Sequence, residues 1–154
     1  MADAVETRTA FPHEIEVRSP VWIPLPDGTR LHARIWIPVD ADLRPVPAVI
    51  EYGPYRLSDG TVASDEQEMR WFAGEGYAGI RIDIRGTGDS TGRCLDEYTE
   101  QETRDGVDAI AWIAAQPWCT GAVGITGYSW TGFNGLQLAA RRPPALKAVS
   151  TGYS

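Results

Sequence analysis

The hexapeptide Gly127-Tyr128-Ser129-Trp130-Thr131-Gly132 is the segment of this 154-residue chain whose residue types and spacing could do covalent chemistry. It lies between an apolar run, Ala122–Thr126, and a helical pattern that opens at Trp130. A serine on a sharp strand-to-helix turn has its hydroxyl pushed clear of the backbone, where it can attack an acyl carbon. Such a turn brings strand and helix so close that the residue two before the serine must lack a Cβ; Gly127 meets that need. The serine itself is expected at φ > 0, a strained setting that its flanking elements must enforce. The helix opening there aims free N–H groups and its positive dipole end at the hydroxyl, so an oxyanion forming beside Ser129 would be stabilised. The pattern departs from G-x-S-x-G in one place, with Thr131 where the second glycine is expected and Gly132 one residue late. Epoxide or haloalkane hydrolysis on such a turn needs a carboxylate nucleophile, and serine at 129 excludes it.

The elements that must position this turn are legible around it. Residues 1–12 are polar and unpatterned and read as a loose arm; residues 13–154 read as one folded unit. Ile15, Val17, Val21, Ile23 and Leu25 alternate with polar or proline positions, and Leu31, Ala33, Ile35 and Ile37 do so after Asp27-Gly28, which predicts an antiparallel hairpin. His32 falls on the polar side of that pattern and is expected to be exposed. Pro47–Tyr52 is a short apolar run without alternation, as in a strand buried on both faces; Gly79–Ile84 reads as another strand, Ala122–Thr126 as a third buried one, and Leu146–Ser150 starts a further strand. Between them lie three helices. The first has Ser64 and Gln67 as capping box, an inner face of Met69, Phe72 and Ala73, and Gly74 and Gly76 at its end. The second is capped by Thr99 and Glu102, carries Val107, Ile110, Ala111 and Ala114 as its apolar stripe and is closed by Pro117. The third runs over Trp130–Arg142 and stops at Pro143-Pro144. A hairpin followed by β-α-β-α-β-α-β predicts an α/β fold with a mostly parallel sheet and helices on both faces.

The loop Asp83–Gly92 offers a competing chemistry, because Gly86-Thr87-Gly88 after a strand suggests a phosphate or dinucleotide loop. Its spacing fails G-x-G-x-x-G at Thr91, and the next helix does not open until Thr99, too far on to hold a pyrophosphate. Asp83, Arg85 and Asp89 are expected instead to form a charge network that orders the loop, and Trp112 and Trp118 to be core and interface aromatics.

Four stretches carry a resemblance to a known family: Gly53-Pro54-Tyr55-Arg56, Asp83–Gly92, Ala114-Ala115-Gln116-Pro117-Trp118 and Gly127–Gly132. In order and spacing, from about Glu14 to the end of the chain, they resemble the acyl-esterase branch of the α/β-hydrolases, the group of cocaine esterase, the X-prolyl dipeptidyl peptidases and the α-amino-acid ester hydrolases. The resemblance implies an α/β-hydrolase fold and a serine hydrolase acting on ester or amide acyl groups through an acyl-enzyme intermediate. It implies Ser129 as nucleophile, the Trp130 backbone N–H as one oxyanion donor and the Tyr55 hydroxyl as the second. One such donor supplies on the order of 3 kcal/mol. Tyr55 also follows the carboxyl end of a buried strand, where ligands gather in open α/β sheets.

A serine nucleophile needs a base and a group to orient it, and in the α/β-hydrolase order both follow the serine. No carboxylate or histidine follows Ser129; the two histidines, His13 and His32, sit in the hairpin region. The chain therefore reads as the amino-terminal part of a longer hydrolase, inactive alone, with a non-catalytic remnant or binding module as the alternative. The last strand is expected to be an uncovered apolar edge.

Composition narrows the partners. Fourteen Lys+Arg against 21 Asp+Glu leave a net charge of −7, which disfavours nucleic acid or an anionic membrane as main partner. A small-molecule ester or amide or a short peptide is the expected substrate, and a homo-oligomer is compatible with the sequence. The run Ala109–Ala115 is too short to span a bilayer, and Met1–Glu14 has no apolar signal region. Cys94 and Cys119 form no C-x-x-C and no cluster with the histidines, so the expectation is a cytoplasmic protein with inert thiols and no metal or cofactor.

Overall fold

The alternating amino-terminal residues pair as β1 (Ile15–Pro24) and β2 (Arg30–Pro38), an antiparallel hairpin closed at Asp27-Gly28, where Gly28 has φ +87° and Asp27 Oδ1 accepts the Thr29 N–H. The computed structural model describes residues 10–154. Most of the arm expected over 1–12 lies outside the described residues; Phe11, within them, rests its ring against Gly74.

The apolar runs follow as β3 (Val46–Gly53), β4 (Ala78–Asp83), β5 (Cys119–Tyr128) and β6 (Leu146–Gly152), joined by α1 (Val62–Gly74), α2 (Glu100–Ala114) and α3 (Trp130–Arg141). The sheet order is β1-β2-β4-β3-β5-β6; β2 meets β4 antiparallel, and β4, β3, β5 and β6 run parallel. Crossovers that cover both faces of the central strands bury β4 along its whole length and β3 over most of its own, the charges Glu51, Arg81 and Asp83 included. Helix α1 closes one face over Trp36, Met69 and Ala73, while α2 and α3 pack Ala109, Ile110, Ile113 and Leu138 onto the other. The carboxyl ends of β3, β4 and β5 consequently share one edge of the sheet, the edge where open α/β folds place ligands.

Several sequence expectations are corrected. Helix α1 begins at Val62 after Thr61, not after Ser64: Asp65 is buried and takes the Thr61 hydroxyl at 2.6 Å, while Ser64 Oγ donates back to the Thr61 carbonyl at 2.9 Å. In α2, Ile110 is buried and Val107 and Ala114 pack on the core as expected, but Ala111 is exposed and the buried face also takes in Glu102, Thr103, Asp105, Gly106, Ala109 and Ile113, because this helix turns two carboxylates inward to partners of their own. His32 is not exposed but only 4% accessible: the loop after β4 folds over β2, Ser90 Oγ accepts the His32 N–H, and Trp22 covers the ring with centroids 5.2 Å apart. That burial lowers the imidazole pKa, opposed in part by Asp89, whose carboxylate lies 3.4 Å from Nδ1. Strand β6 is at the sheet edge as expected, but its side chains are largely exposed and not an apolar strip. Trp118 is buried and Trp112 packs against the core, as expected.

Candidate active site

Ser129 sits on the single residue between β5 and α3, exposed, with φ 53° and ψ −122°. A non-glycine residue in such a conformation costs of order 1–3 kcal/mol and persists only where its surroundings fix it. Three things fix it here. The Ser129 N–H donates to the Gly152 carbonyl of β6 at 3.1 Å, and its carbonyl accepts the Phe133 N–H at 2.9 Å. Thr131 Oγ1 accepts the Tyr128 N–H at 2.8 Å. Strand and helix meet at Gly127, where a Cβ would lie 2.5 Å from the Thr131 carbonyl carbon; the absence of a side chain there is a steric requirement, as the sequence predicts.

Tyr55 approaches from the neighbouring strand. The chain leaves β3 at Gly53, turns through Pro54, and places the Tyr55 hydroxyl 3.3 Å from the Trp130 backbone nitrogen, accepting its N–H. The predicted pair of donors is thus brought together from positions 75 residues apart. One oxygen set between the two would receive a hydrogen bond from each. The Tyr55 turn is held from below by Asp83, whose Oδ1 accepts the Leu57 N–H at 3.0 Å. Asp83 is inaccessible to solvent, and its Oδ2 has no hydrogen-bond partner among the described residues. Burial pushes its pKa up to about 6 against the ordinary 3.8.

Trp130 is anchored through its indole, which donates to Glu102 Oε1 at 2.8 Å, and the other oxygen of the same carboxylate accepts the Tyr98 N–H. The capping box of α2 is therefore shifted by one: Thr99 Oγ1 accepts the Glu102 N–H, but Glu102 reaches back to Tyr98 and not to Thr99. The expected network of Asp83, Arg85 and Asp89 does not form among those three. Arg85 pairs with Asp105, Asp27 and Thr29, while Asp89 contacts Ser58 and His32.

Neither histidine reaches Ser129. His32 stands on β2, three strands from β5, a separation of about 14 Å at the usual strand spacing. The backbone of His13 is bonded to Gly74 at the far end of α1, beside the amino end of β4. Among the described residues there is no group of three or more His, Cys, Asp or Glu side chains that could hold a metal, and both cysteines are free. No described helix is long and apolar enough to cross a membrane.

Three residues beneath the turn were not singled out in the sequence: Glu51, Arg81 and the hydroxyl role of Thr131. A signal for the first two was present, since Glu51 is the lone charge in β3 and Arg81 the lone cation in β4, both strands otherwise reading as buried, and the register of β3 on β4 sets them directly opposite one another.

A mostly parallel sheet with an antiparallel hairpin at its start, three covering helices and a serine at the β5–α3 corner define an α/β-hydrolase fold. Solved structures agree: a CocE/NonD family hydrolase from Staphylococcus aureus superposes with a TM-score of 0.77 at 21% identity, over 89% of this chain and 27% of that one. An α-amino acid ester hydrolase superposes with a TM-score of 0.70 at 24% identity, over 94% and 26% of the two chains. The chain belongs to the X-Pro dipeptidyl-peptidase (S15) family, whose description matches residues 27–153. It is 29% identical over 168 aligned positions to a Mycobacterium bovis protein named as a serine esterase, covering 98% of this chain and 27% of that protein. It is 35% identical over 136 positions to the cocaine esterase of a Rhodococcus species, covering 87% and 23%. The chain thus spans about a quarter of the length of these relatives.

Proposed function

We propose that this chain carries the nucleophile and the oxyanion-binding half of a serine hydrolase that cleaves ester or amide acyl groups of small molecules or short peptides. The observation that carries the reading is the meeting of Tyr55 and the Trp130 N–H beside a strained, exposed Ser129. Ser129 Oγ attacks the acyl carbon while its proton passes to a base; the carbonyl oxygen becomes an oxyanion that receives one hydrogen bond from Trp130 N–H and one from the Tyr55 hydroxyl. Loss of the leaving group gives an acyl-enzyme, and water then releases the acid. The base must sit within hydrogen-bond reach of Ser129. Both histidines of the chain lie elsewhere, so the base comes from polypeptide outside these 154 residues.

A fluorophosphonate probe tests the reading on the native gene product. The expected result is a covalent label on the peptide containing Ser129, lost in Ser129→Ala. Absence of label on that serine identifies a non-catalytic remnant instead. The 154 residues expressed alone are expected to show no ester turnover; turnover abolished by Ser129→Ala would place the base within them.

A further inference from the structure

Thr131 stands where the G-x-S-x-G pattern has glycine, and the structure is built around its side chain. Its methyl fills the space over Gly53, where any Cβ would overlap Thr131 Cγ2, and its backbone fills the space beside Gly127. Thr131 is completely buried, and its hydroxyl lies 2.8 Å from the Tyr128 nitrogen, 2.9 Å from the Tyr128 carbonyl and 2.9 Å from Glu51 Oε1. A hydroxyl has one hydrogen to give, and the carboxylate is the stronger acceptor. Thr131 therefore donates to Glu51 and accepts from the Tyr128 N–H.

Glu51 in turn lies 2.7 Å from Arg81 Nη1, with side-chain exposures of 11% and 1%. The N–H directions of Arg81 miss this oxygen, so the pair is held by charge and not by an aligned hydrogen bond. Asp65, itself buried and tied to Thr61, stands 3.5 Å from Arg81 Nε on the other side. The same guanidinium lies over the Tyr55 ring, 5.9 Å from its centroid. One buried cation thus touches both halves of the site: the ring that carries one donor and, through Glu51 and Thr131, the turn that carries the other.

We infer that Thr131, Glu51 and Arg81 are positioning residues, a relay that sets the Trp130 N–H and the Tyr55 hydroxyl at the spacing a single oxyanion requires. The inference rests on the function proposed above for what it implies about rate, but not for the geometry. A buried ion pair contributes little to net stability, since desolvation offsets the attraction. Its use here is geometric: a carboxylate with two fixed partners cannot swing away from Thr131, and the elbow cannot relax from its strained backbone while that bond holds. Replacing Thr131 by the usual glycine removes both the methyl over Gly53 and the bond to Glu51.

Arg81 substitutions strand a buried carboxylate and can unfold the protein, so the test uses Thr131→Val, which keeps the shape and loses the hydroxyl, and Thr131→Ser, which keeps it. Both are made in the native gene product, with thermal unfolding confirming a folded chain. The first readout is hydrogen exchange of the Trp130 amide by fragmentation mass spectrometry. Exchange is expected to be about tenfold faster in Thr131→Val, the worth of one hydrogen bond to a charged group, and near wild type in Thr131→Ser. The second is the rate of fluorophosphonate labelling of Ser129, expected to fall about tenfold in the valine variant and to return in the serine variant. Adding Glu51→Gln to Thr131→Val is expected to slow labelling by far less than the product of the two single effects, as for members of one chain. Wild-type exchange in the valine variant overturns the relay, as do multiplicative effects in the double variant. Exchange that responds as expected while wild-type Ser129 takes no label leaves the relay standing and overturns the hydrolase reading instead.

Discussion

Two glycine-bearing turns leave the same edge of the sheet, one after β4 and one after β5, and they spend their backbone donors differently. In the loop Asp83–Gly92 four backbone donors are held by carbonyls: Gly86 N–H goes to Thr91, Thr87 to Ile84, Ser90 to Thr87 and Thr91 to Arg30 of β2. Ser90 Oγ closes onto the Asp83 carbonyl, and Arg85 clamps the loop to the hairpin turn and to α2 through Asp27, Thr29 and Asp105. Those four amides are committed to the fold and not offered to a ligand. The turn after β5 is a single residue long, its helix opens at once, and the Trp130 N–H has only a phenol oxygen before it, which a substrate oxygen would displace under the proposed function. Glycine content does not separate a staple from a site. What separates them is whether a donor faces an immovable carbonyl or a group that can give way.

The contrast can be broken most strongly at Gly127. A Cβ there meets Thr131 backbone, so Gly127→Ala is expected to destabilise the fold by about 4 kcal/mol, read as a fall in the thermal midpoint, with labelling lost alongside. Arg85→Met tests the other turn. It leaves Asp105, which is nearly inaccessible, without its bidentate partner and is expected to cost about 3 kcal/mol of stability while the labelling rate of folded protein is unchanged. Tyr55→Phe is the mirror image: stability stays within error, and labelling of Ser129 slows about a hundredfold, close to 3 kcal/mol.

The smallest expected effect is pH-dependent and comes from Asp83, which ties the end of β4 to the Tyr55 segment through the Leu57 N–H. Its folded pKa of about 6 lies above the ordinary 3.8. Between those values the unfolded chain gives up this proton and the folded chain keeps it, so the group makes stability fall as pH rises through that window. Asp83→Asn keeps the acceptor for the Leu57 N–H and removes the charge. It is expected to raise stability by about 2 kcal/mol at about pH 8 and by nothing below about pH 4, checked by denaturant unfolding across pH.

Sequence reading reached the strand-helix alternation, the hairpin turn and the strained serine because each is set by local residue types: apolar runs, Asp-Gly, a glycine two before a serine. Tyr55 was placed by resemblance to a family, and the meeting of its hydroxyl with Trp130 depends on β3 lying beside β5, which no local pattern encodes. His32 was misread because alternation reports which face of a strand is apolar, not whether a distant loop covers the polar one. The incomplete inner face of α2 has a related cause: Val107, Ile110 and Ala114 were read rightly, but Glu102 and Asp105 look like solvent-facing residues until Trp130 and Arg85 are known to be their partners. Glu51 and Arg81 were legible in principle, as the lone charge of β3 and the lone cation of β4 in strands otherwise apolar enough to be buried.

Ser129 holds its place partly by donating its own N–H to Gly152, at the end of the outermost strand. Fraying of β6 at that end would release the amide and let the corner uncoil toward an easier backbone shape. Any strand that docks along the open side of β6 would do the opposite, damping that fraying and keeping the hydroxyl cocked. Growth of the sheet and the shape of its serine corner are in this way a single hydrogen bond apart.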